Sequence, residues 1–284
     1  MEIIIGLGGV GCRVADQFKV YPQYQIYKID SKSSEEKNFF QIPKFSSPEE
    51  YESNNLSLPS FIKKIKGEIL FVVSGASIAS GVSLVLLESL KKNCSINILY
   101  IRPEIELLSE TKFLQEKVVF NVLQQYTRSN VFNRMYLVSN EDLSNFVEDA
   151  SVFDYYFRIN ETIVSAFHMI NVYDHIESVS DTFSSPSPTA KISTFGILNV
   201  DDGKQKLFFS LDFPREARYY YGIPEERLKS EKGLRKKIID QVKKKASKDT
   251  KVSYGIYSTE YDYNCGYVLS HSTKIQNSLK KGLT

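Results

Sequence analysis

The sequence predicts an α/β protein: a parallel-sheet, Rossmann-like first half, a long helix, and a smaller α+β unit at the end. Three observations predict it. Short β-branched runs alternate with amphipathic stretches through the first half, the pattern of strands joined by helical crossovers. Gly6, Gly8 and Gly11 form GxGxxG directly after the first such run and at the start of an amphipathic stretch. The segment Thr182 to Lys191, with its prolines and Ser/Thr residues, interrupts regular structure before a second set of strands.

The expected strands of the first half are Glu2 to Ile5, Gln25 to Ile29, Ile69 to Val73, Ile96 to Ile101 and Arg134 to Val138. Apolar residues at helical spacing place crossovers over Val10 to Phe18, Ser60 to Lys66, Gly81 to Lys92, Glu110 to Tyr126 and Glu141 to Phe146. Asp149 to Tyr173 has no Gly or Pro and reads as a longer helix than a crossover needs. Beyond the break, strands are expected over Ile192 to Val200, Lys206 to Phe213, Val252 to Ser258 and Gly266 to Ser270, with a helix over Gly233 to Ala246. The expected organisation is a nucleotide-binding domain over 1–150, a central helix over 151–181 and a C-terminal α+β domain over 182–284.

Composition narrows the function classes. With 36 Lys+Arg against 34 Asp+Glu and 42% hydrophobic residues in 284, the chain is nearly neutral and rich enough in apolar residues to fold. No apolar run reaches the roughly 18 residues of a membrane span, and MEIIIGLGGVG lacks a basic leader. The three cysteines, Cys12, Cys94 and Cys265, form no CxxC pair, and the three histidines have no metal-binding spacing, so no metal site is expected. A reducing, cytoplasmic setting is expected.

The first loop carries chemistry. Glycines there allow a tight turn and close backbone approach, while free N–H groups at the helix start attract phosphate. Asp30 ends the next expected strand, where a ribose-binding carboxylate sits in dinucleotide folds. This fingerprint is compatible with an NAD-dependent oxidoreductase, or with the adenylating fold that activates ubiquitin-like proteins. The plainer reading is that the glycines let the first helix pack closely on the sheet and that Asp30 caps a turn. After the third strand, SGASIASGVSLVLLESL opens another helix with small residues. Two such loops suggest one nucleotide held from both sides of a switch point.

At this point the sequence resembles the tubulin/FtsZ superfamily, in its phage- or plasmid-type members. Gly6-Leu7-Gly8-Gly9-Val10-Gly11-Cys12 is similar to the family's first phosphate loop. The position of its GGGTGTG(A/S) signature falls on Gly75-Ala76-Ser77-Ile78-Ala79-Ser80-Gly81. NILYIRPEIEL, MYLVSNEDLSNF and INETIVSAFHMINVYDHI resemble, in order, the Pro-containing strand end, the strand with its Asn-Asp-x-Leu turn (Asn140, Glu141 and Leu143), and the central helix. The resemblance covers residues 2 to 180. It implies GTP or GDP, with Mg2+, held by Gly8, Gly9, Val10, Gly11, Cys12, Arg13, Asp30 and the segment 75–81, with Asn160 on the guanine. It also implies a catalytic acid after the central helix, for which Asp174 and Glu177 are the candidates and Asp181 a third. Self-association into head-to-tail filaments is the implied partnership, or incorporation into a larger assembly. The chain stops at LKKGLT without the tail by which FtsZ recruits partners, which favours a specialised homologue.

Departures from that pattern shape the expected activity. Ala76 and Ala79 replace glycines and Ile78 a threonine, so Cβ atoms intrude where backbone meets phosphate. Ser31 to Pro59 has no glycine and carries Glu35, Glu36, Glu49, Glu50 and Glu52, which would repel a phosphate without Mg2+. Hydrolysis is expected to be weak or absent, and a fully degenerate site would hold no cofactor and leave a structural component.

Other features have plain readings. Tyr219-Tyr220-Tyr221 beside Arg215 and Arg218 could stack bases but reads as a packed corner between strand and helix. Lys236, Lys237 and Lys243 to Lys245 form a basic face diluted by nearby acids, so nucleic acid is not the expected partner. Glu104 and Glu106 have no defined mutual geometry. Cys12 lies where a helix N-terminus would stabilise a thiolate, or is a small buried residue. His168 and His175 read as packed or solvated side chains.

Overall fold

The computed structural model describes residues 2–54, 58 and 60–277. The described residues divide into two compact units, the first up to residue 164 with 275–277 added, the second 165–274. In the first unit the elements run β1 (Ile3–Leu7), α1 (Gly8–Gln17), β2 (Gln25–Asp30), β3 (Phe39–Gln41), α2 (Pro48–Ser53), α3 (Ser60–Lys64), β4 (Gly67–Val73), α4 (Ser83–Leu90), β5 (Cys94–Arg102), α5 (Glu110–Arg128), β6 (Arg134–Ser139) and α6 (Asn140–Ser144). The strand order is β3-β2-β1-β4-β5-β6, and every pairing is parallel. This is the parallel α/β sheet expected.

Its central strands are apolar on both faces because helices cover both. Ile4, Ile5, Ile69 to Val73 and Ile98 to Ile101 are all buried. The chain moves outward from β1 to β2 and β3, then returns to β4 on the other side of β1. Loops that leave the carboxyl ends of β1 and β4 therefore meet at a topological switch point, where a crevice opens.

The long helix α7 (Tyr155–Tyr173) passes from one unit into the other. It starts six residues later than expected from Asp149. The Ser151 hydroxyl accepts from the Asp154 backbone N–H at 3.2 Å and donates to its carboxylate at 2.7 Å, a local arrangement that competes with helix. No helix among the described residues is long and apolar enough to cross a membrane.

The second unit contains β7 (Ser180–Asp181), β8 (Ile192–Leu198), β9 (Gln205–Leu207), β10 (Pro214–Pro224), α8 (Glu225–Ser230), α9 (Leu234–Lys245), β11 (Lys251–Thr259) and β12 (Cys265–Ser272). The expected corner at Tyr219-Tyr220-Tyr221 is instead the middle of β10, which pairs parallel with β11 and antiparallel with β12. All three tyrosines are buried. The expected strand Lys206 to Phe213 is shortened to β9, and Phe213 has φ of 53°, which extended structure does not allow. Leu234, Ile238 and Val242, one face of α9, pack on Tyr219, Tyr221, Tyr254 and Ile256.

Candidate functional site

Gly8 turns the chain out of β1 with φ of 68°, a conformation that side chains disfavour, and α1 starts there. Leu7 at the helix N-cap offers no side-chain acceptor and the first turn has no acid. The first N–H groups of α1 thus lack a side-chain cap. The remaining glycines of this loop differ in what requires them. A Cβ on Gly6 would lie 2.4 Å from the Gly11 carbonyl oxygen, and one on Gly11 2.4 Å from the Val72 carbonyl oxygen. These two let α1 lie against β1 and β4. A Cβ on Gly9 would meet nothing closer than the Arg13 guanidinium at 3.5 Å and Asp30 Oδ2 at 4.0 Å. Packing does not demand a glycine at position 9.

Gly9, Arg13 and Asp30 are thereby brought together, with one cation and one anion flanking an open approach to the start of α1. Asp30 Oδ1 accepts the Ser31 N–H at 2.7 Å. Val10 is half-buried beside them. Cys12 turns inward, its thiol donating to the Gly6 and Ile29 carbonyls at 3.5 Å. Burial pushes its pKa up to about 12, so the stabilised thiolate considered from the sequence does not form. Only the Cys12 backbone could serve a ligand.

The second loop runs from Ser74 to a short 3-10 turn over Ile78–Val82. It touches the first: a Cβ on Gly8 would be 3.0 Å from Ser77 Oγ and 3.5 Å from the Ala79 Cβ. The loop is braced by side chains the sequence did not reveal. Gln115 of α5 donates to the Ser77 carbonyl and, at 3.1 Å, to Ser80 Oγ, which itself donates to the Gly75 carbonyl at 2.9 Å. Gly75 lies against the Tyr100 hydroxyl, and Gly81 against the Pro48 carbonyl, 2.2 and 2.5 Å from where a Cβ would stand. Beneath Gly75, Tyr100 donates to buried Glu116 at 3.1 Å, and Arg102 pairs with the same carboxylate at 3.6 Å. Burial raises the pKa of both Tyr100 and Glu116. Ala76 and Ser77 are half-buried and Ile78 is exposed. A groove of about 680 Å3 bordered by Ile78, Ser80, Gly81 and Gln115 is lined by none of Gly8, Gly9, Arg13 or Asp30.

The acids expected to repel phosphate are partly engaged elsewhere. Glu36 pairs with Lys19 at 2.9 Å and with buried Lys28, which hold its pKa below the ordinary value. Glu49 and Glu50 sit in the first turn of α2, where the helix dipole favours them. Glu52 has only its backbone described, and Asn55 to Ser57 and Pro59 lie outside the described residues.

Asn160 is buried on α7 in the first unit, and its side-chain amide has no hydrogen-bond partner among the described residues. Asp174 and Glu177 belong to the second unit. Asp174 Oδ1 accepts from the Tyr220 hydroxyl at 2.9 Å and pairs with Arg218 at 3.3 Å. Asp181 accepts from the Ser178 hydroxyl and from the Phe183 N–H at 3.2 Å. Glu177 is exposed and has no such partner among the described residues.

No family model matches the sequence, and no curated protein matches it. Solved structures do match the fold. A GTPγS-form protofilament of TubZ from Bacillus thuringiensis serovar israelensis aligns over 95% of this chain and 86% of its own, with a TM-score of 0.69 at 14% identity. An empty FtsZ dimer from M. jannaschii aligns over 95% and 87%, with a TM-score of 0.66 at 12% identity. The two-stranded TubZ-Bt filament aligns over 96% and 84%, with a TM-score of 0.69 at 12% identity. Identities this low speak of architecture alone, and in architecture this chain has the tubulin/FtsZ fold.

Proposed function

We propose that the chain is a self-assembling protein that binds a guanine nucleotide across its first and second loops and hydrolyses it slowly or not at all. The observation that carries the binding is Gly9. It is the loop glycine that neither a neighbouring backbone nor a positive φ requires, and it faces Arg13 at an uncapped helix start. Phosphate fits those donors, with Mg2+ needed to offset Asp30. Asn160, buried with an unengaged amide, suits a guanine edge. The fold shared with protofilaments of TubZ supports assembly as the mode of action.

The test is to identify by mass analysis what nucleotide copurifies with the protein, and to follow light scattering with and without GTP and Mg2+. Guanine nucleotide with GTP-dependent scattering is the expected result. A dinucleotide would overturn it in favour of an oxidoreductase. Scattering without any bound or required nucleotide would leave a structural component only.

A further inference from the structure

The second loop has two faces, and one of them looks away from the first loop. Ser77 and Ala79 lie against Gly8, whereas Ile78 and Ser80, which alternate with them, border the groove of about 680 Å3. That volume is in the range of small-molecule sites. Leu84 of α4 and Leu114, Val118 and Val122 of α5 give it apolar walls, and residues 46–49 add a third side. Leu114 and Val118, one helical turn apart, are 53% and 61% exposed, so the apolar wall is open to an occupant. The groove is also preformed: Gly81 stands against the Pro48 carbonyl with no room for a Cβ, which ties the start of α2 to the second loop.

Its polar groups narrow the occupant. Buried Ser80 and Ser83 are turned to their own loop, donating to the Gly75 and Ser80 carbonyls. Gln115 differs, because its amide nitrogen serves the Ser77 carbonyl and Ser80 while its Oε1 accepts no hydrogen bond among the described residues. Glu49 and Lys112 stand exposed at the border, opposite in sign and without an ion-pair partner among the described residues. Balanced charges disfavour a ligand of net charge, the walls ask for an apolar body, and Gln115 Oε1 asks for a single donor.

We propose that the groove is a second binding site, for an uncharged and largely apolar small molecule carrying an N–H or O–H donor, and that its occupant regulates the nucleotide site through Gln115. The regulatory half rests on the nucleotide reading above. A ligand shifts an equilibrium only through an interaction that differs between its states. Gln115 supplies that interaction, because one side chain faces the groove with its oxygen and holds the second loop with its nitrogen. An occupant bonded to Oε1 fixes the side chain in the orientation that keeps the Ser77 carbonyl and Ser80 in place, and Ser77 is the residue that reaches Gly8. The backing is stiff: the neighbouring Glu116 is buried, with its Cα 3.2 Å from where a Cβ of Gly75 would stand. Coupling of this kind is reciprocal, so each ligand should strengthen the other by the same factor.

The probe is N-phenyl-naphthylamine, an uncharged apolar fluorophore with one N–H, titrated into the full chain with and without GTP and Mg2+. Saturable binding to wild type is expected. Val118→Glu, at an exposed position, should melt with wild type and bind GTP equally. It should nevertheless hold the probe about tenfold more weakly or worse, because a carboxylate on the apolar wall must be desolvated. GTP should tighten the probe by about fivefold or more, and the probe should tighten GTP by the same factor. Gln115→Leu should still bind the probe and lose that mutual effect. Equal probe binding by wild type and Val118→Glu would overturn the groove and leave the nucleotide reading standing. Saturable binding without any mutual effect would overturn the regulation. Probe release that follows protein concentration rather than nucleotide would give the groove to a second copy and overturn the small-molecule occupant. A wild type that takes the probe but no guanine nucleotide would overturn the nucleotide reading, and the coupling with it, while the groove stands.

Discussion

Gly9 and Gly11 stand two residues apart in one helix turn, yet alanine should act on them in opposite ways. At Gly11 the new Cβ would stand 2.4 Å from the Val72 carbonyl oxygen and 3.2 Å from its carbon. Ordinary contacts are ~3.5 Å or more, so α1 or β4 must move by roughly 1 Å, and both are backbone with sheet on either side. Overpacking of this kind costs ~1–3 kcal/mol, against which the better helix propensity of alanine returns at most ~1 kcal/mol. The net loss should lower the melting temperature by a few degrees, at ~2–4 °C per kcal/mol for a chain of this class. At Gly9 the nearest atoms are 3.5 Å away and belong to a flexible side chain. Gly9→Ala should therefore melt at or slightly above wild type. In a nucleotide titration it should nevertheless bind GTP at least tenfold more weakly, because a lost hydrogen bond to a charged phosphate is worth ~1.5–3 kcal/mol and each 1.4 kcal/mol is about tenfold. Thermal denaturation and isothermal titration of the two variants read both effects. Wild-type affinity in Gly9→Ala would refute the phosphate role, and a melting loss equal to that of Gly11→Ala would refute the packing argument.

Burial lowers the pKa of His168 to about 4, so the folded state keeps it neutral while the unfolded chain protonates near 6.5. Stability should be flat above pH 6.5, fall by about 2 kcal/mol by pH 5 and level off below 4, and urea unfolding of His168→Phe should lack that component. Lys28→Met should raise the Glu36 pKa toward its ordinary value, since Lys28 and Lys19 hold it down. The stabilisation Glu36 provides is present above its unfolded pKa and disappears as pH falls through the lowered one, so an NMR titration showing no upward movement would refute the network. Phosphate release should stay near background, because each missing donor costs ~10²-fold or more, and Asp174→Ala should not change it. That substitution should instead destabilise the second unit by about 1–3 kcal/mol by stranding Arg218 and the Tyr220 hydroxyl. Turnover that climbs with assembly and vanishes in Asp174→Ala would sink this reading.

Much of the first unit was legible because a strand buried on both faces must be apolar along its whole length, as Ile69 to Val73 is. All five strands read there match β1, β2, β4, β5 and β6 to within two residues at either end. Where neighbours decide, the reading failed. β10 begins and ends with proline and carries Arg215, Glu216 and Arg218 near its start, so only its place between β11 and β12 makes it a strand. The start of α7 was misplaced because apolar Val152 and Phe153 imitate a buried face. At the site, the two loops were located by spacing, but Gln115 and Tyr100 were not found. Their hydrogen bonds cross 38 residues from Gln115 to Ser77 and 16 from Tyr100 to Glu116, and no local pattern announces either.

Four of the loop glycines are required by packing and so do not settle what the chain binds. Gly6, Gly11, Gly75 and Gly81 are each held by an atom that would lie within 2.2–2.5 Å of a Cβ, so the architecture alone retains them whether or not a phosphate ever arrives. Ala79 is a different matter: its Cβ stands 3.5 Å from the Cβ position of Gly8, in the space where the two loops meet. A GxGxxG spacing is therefore a statement about helix-to-sheet packing first. The part of it that speaks for a ligand is the residue the spacing leaves unspecified, Gly9, because there the chain forgoes a side chain it has room to carry.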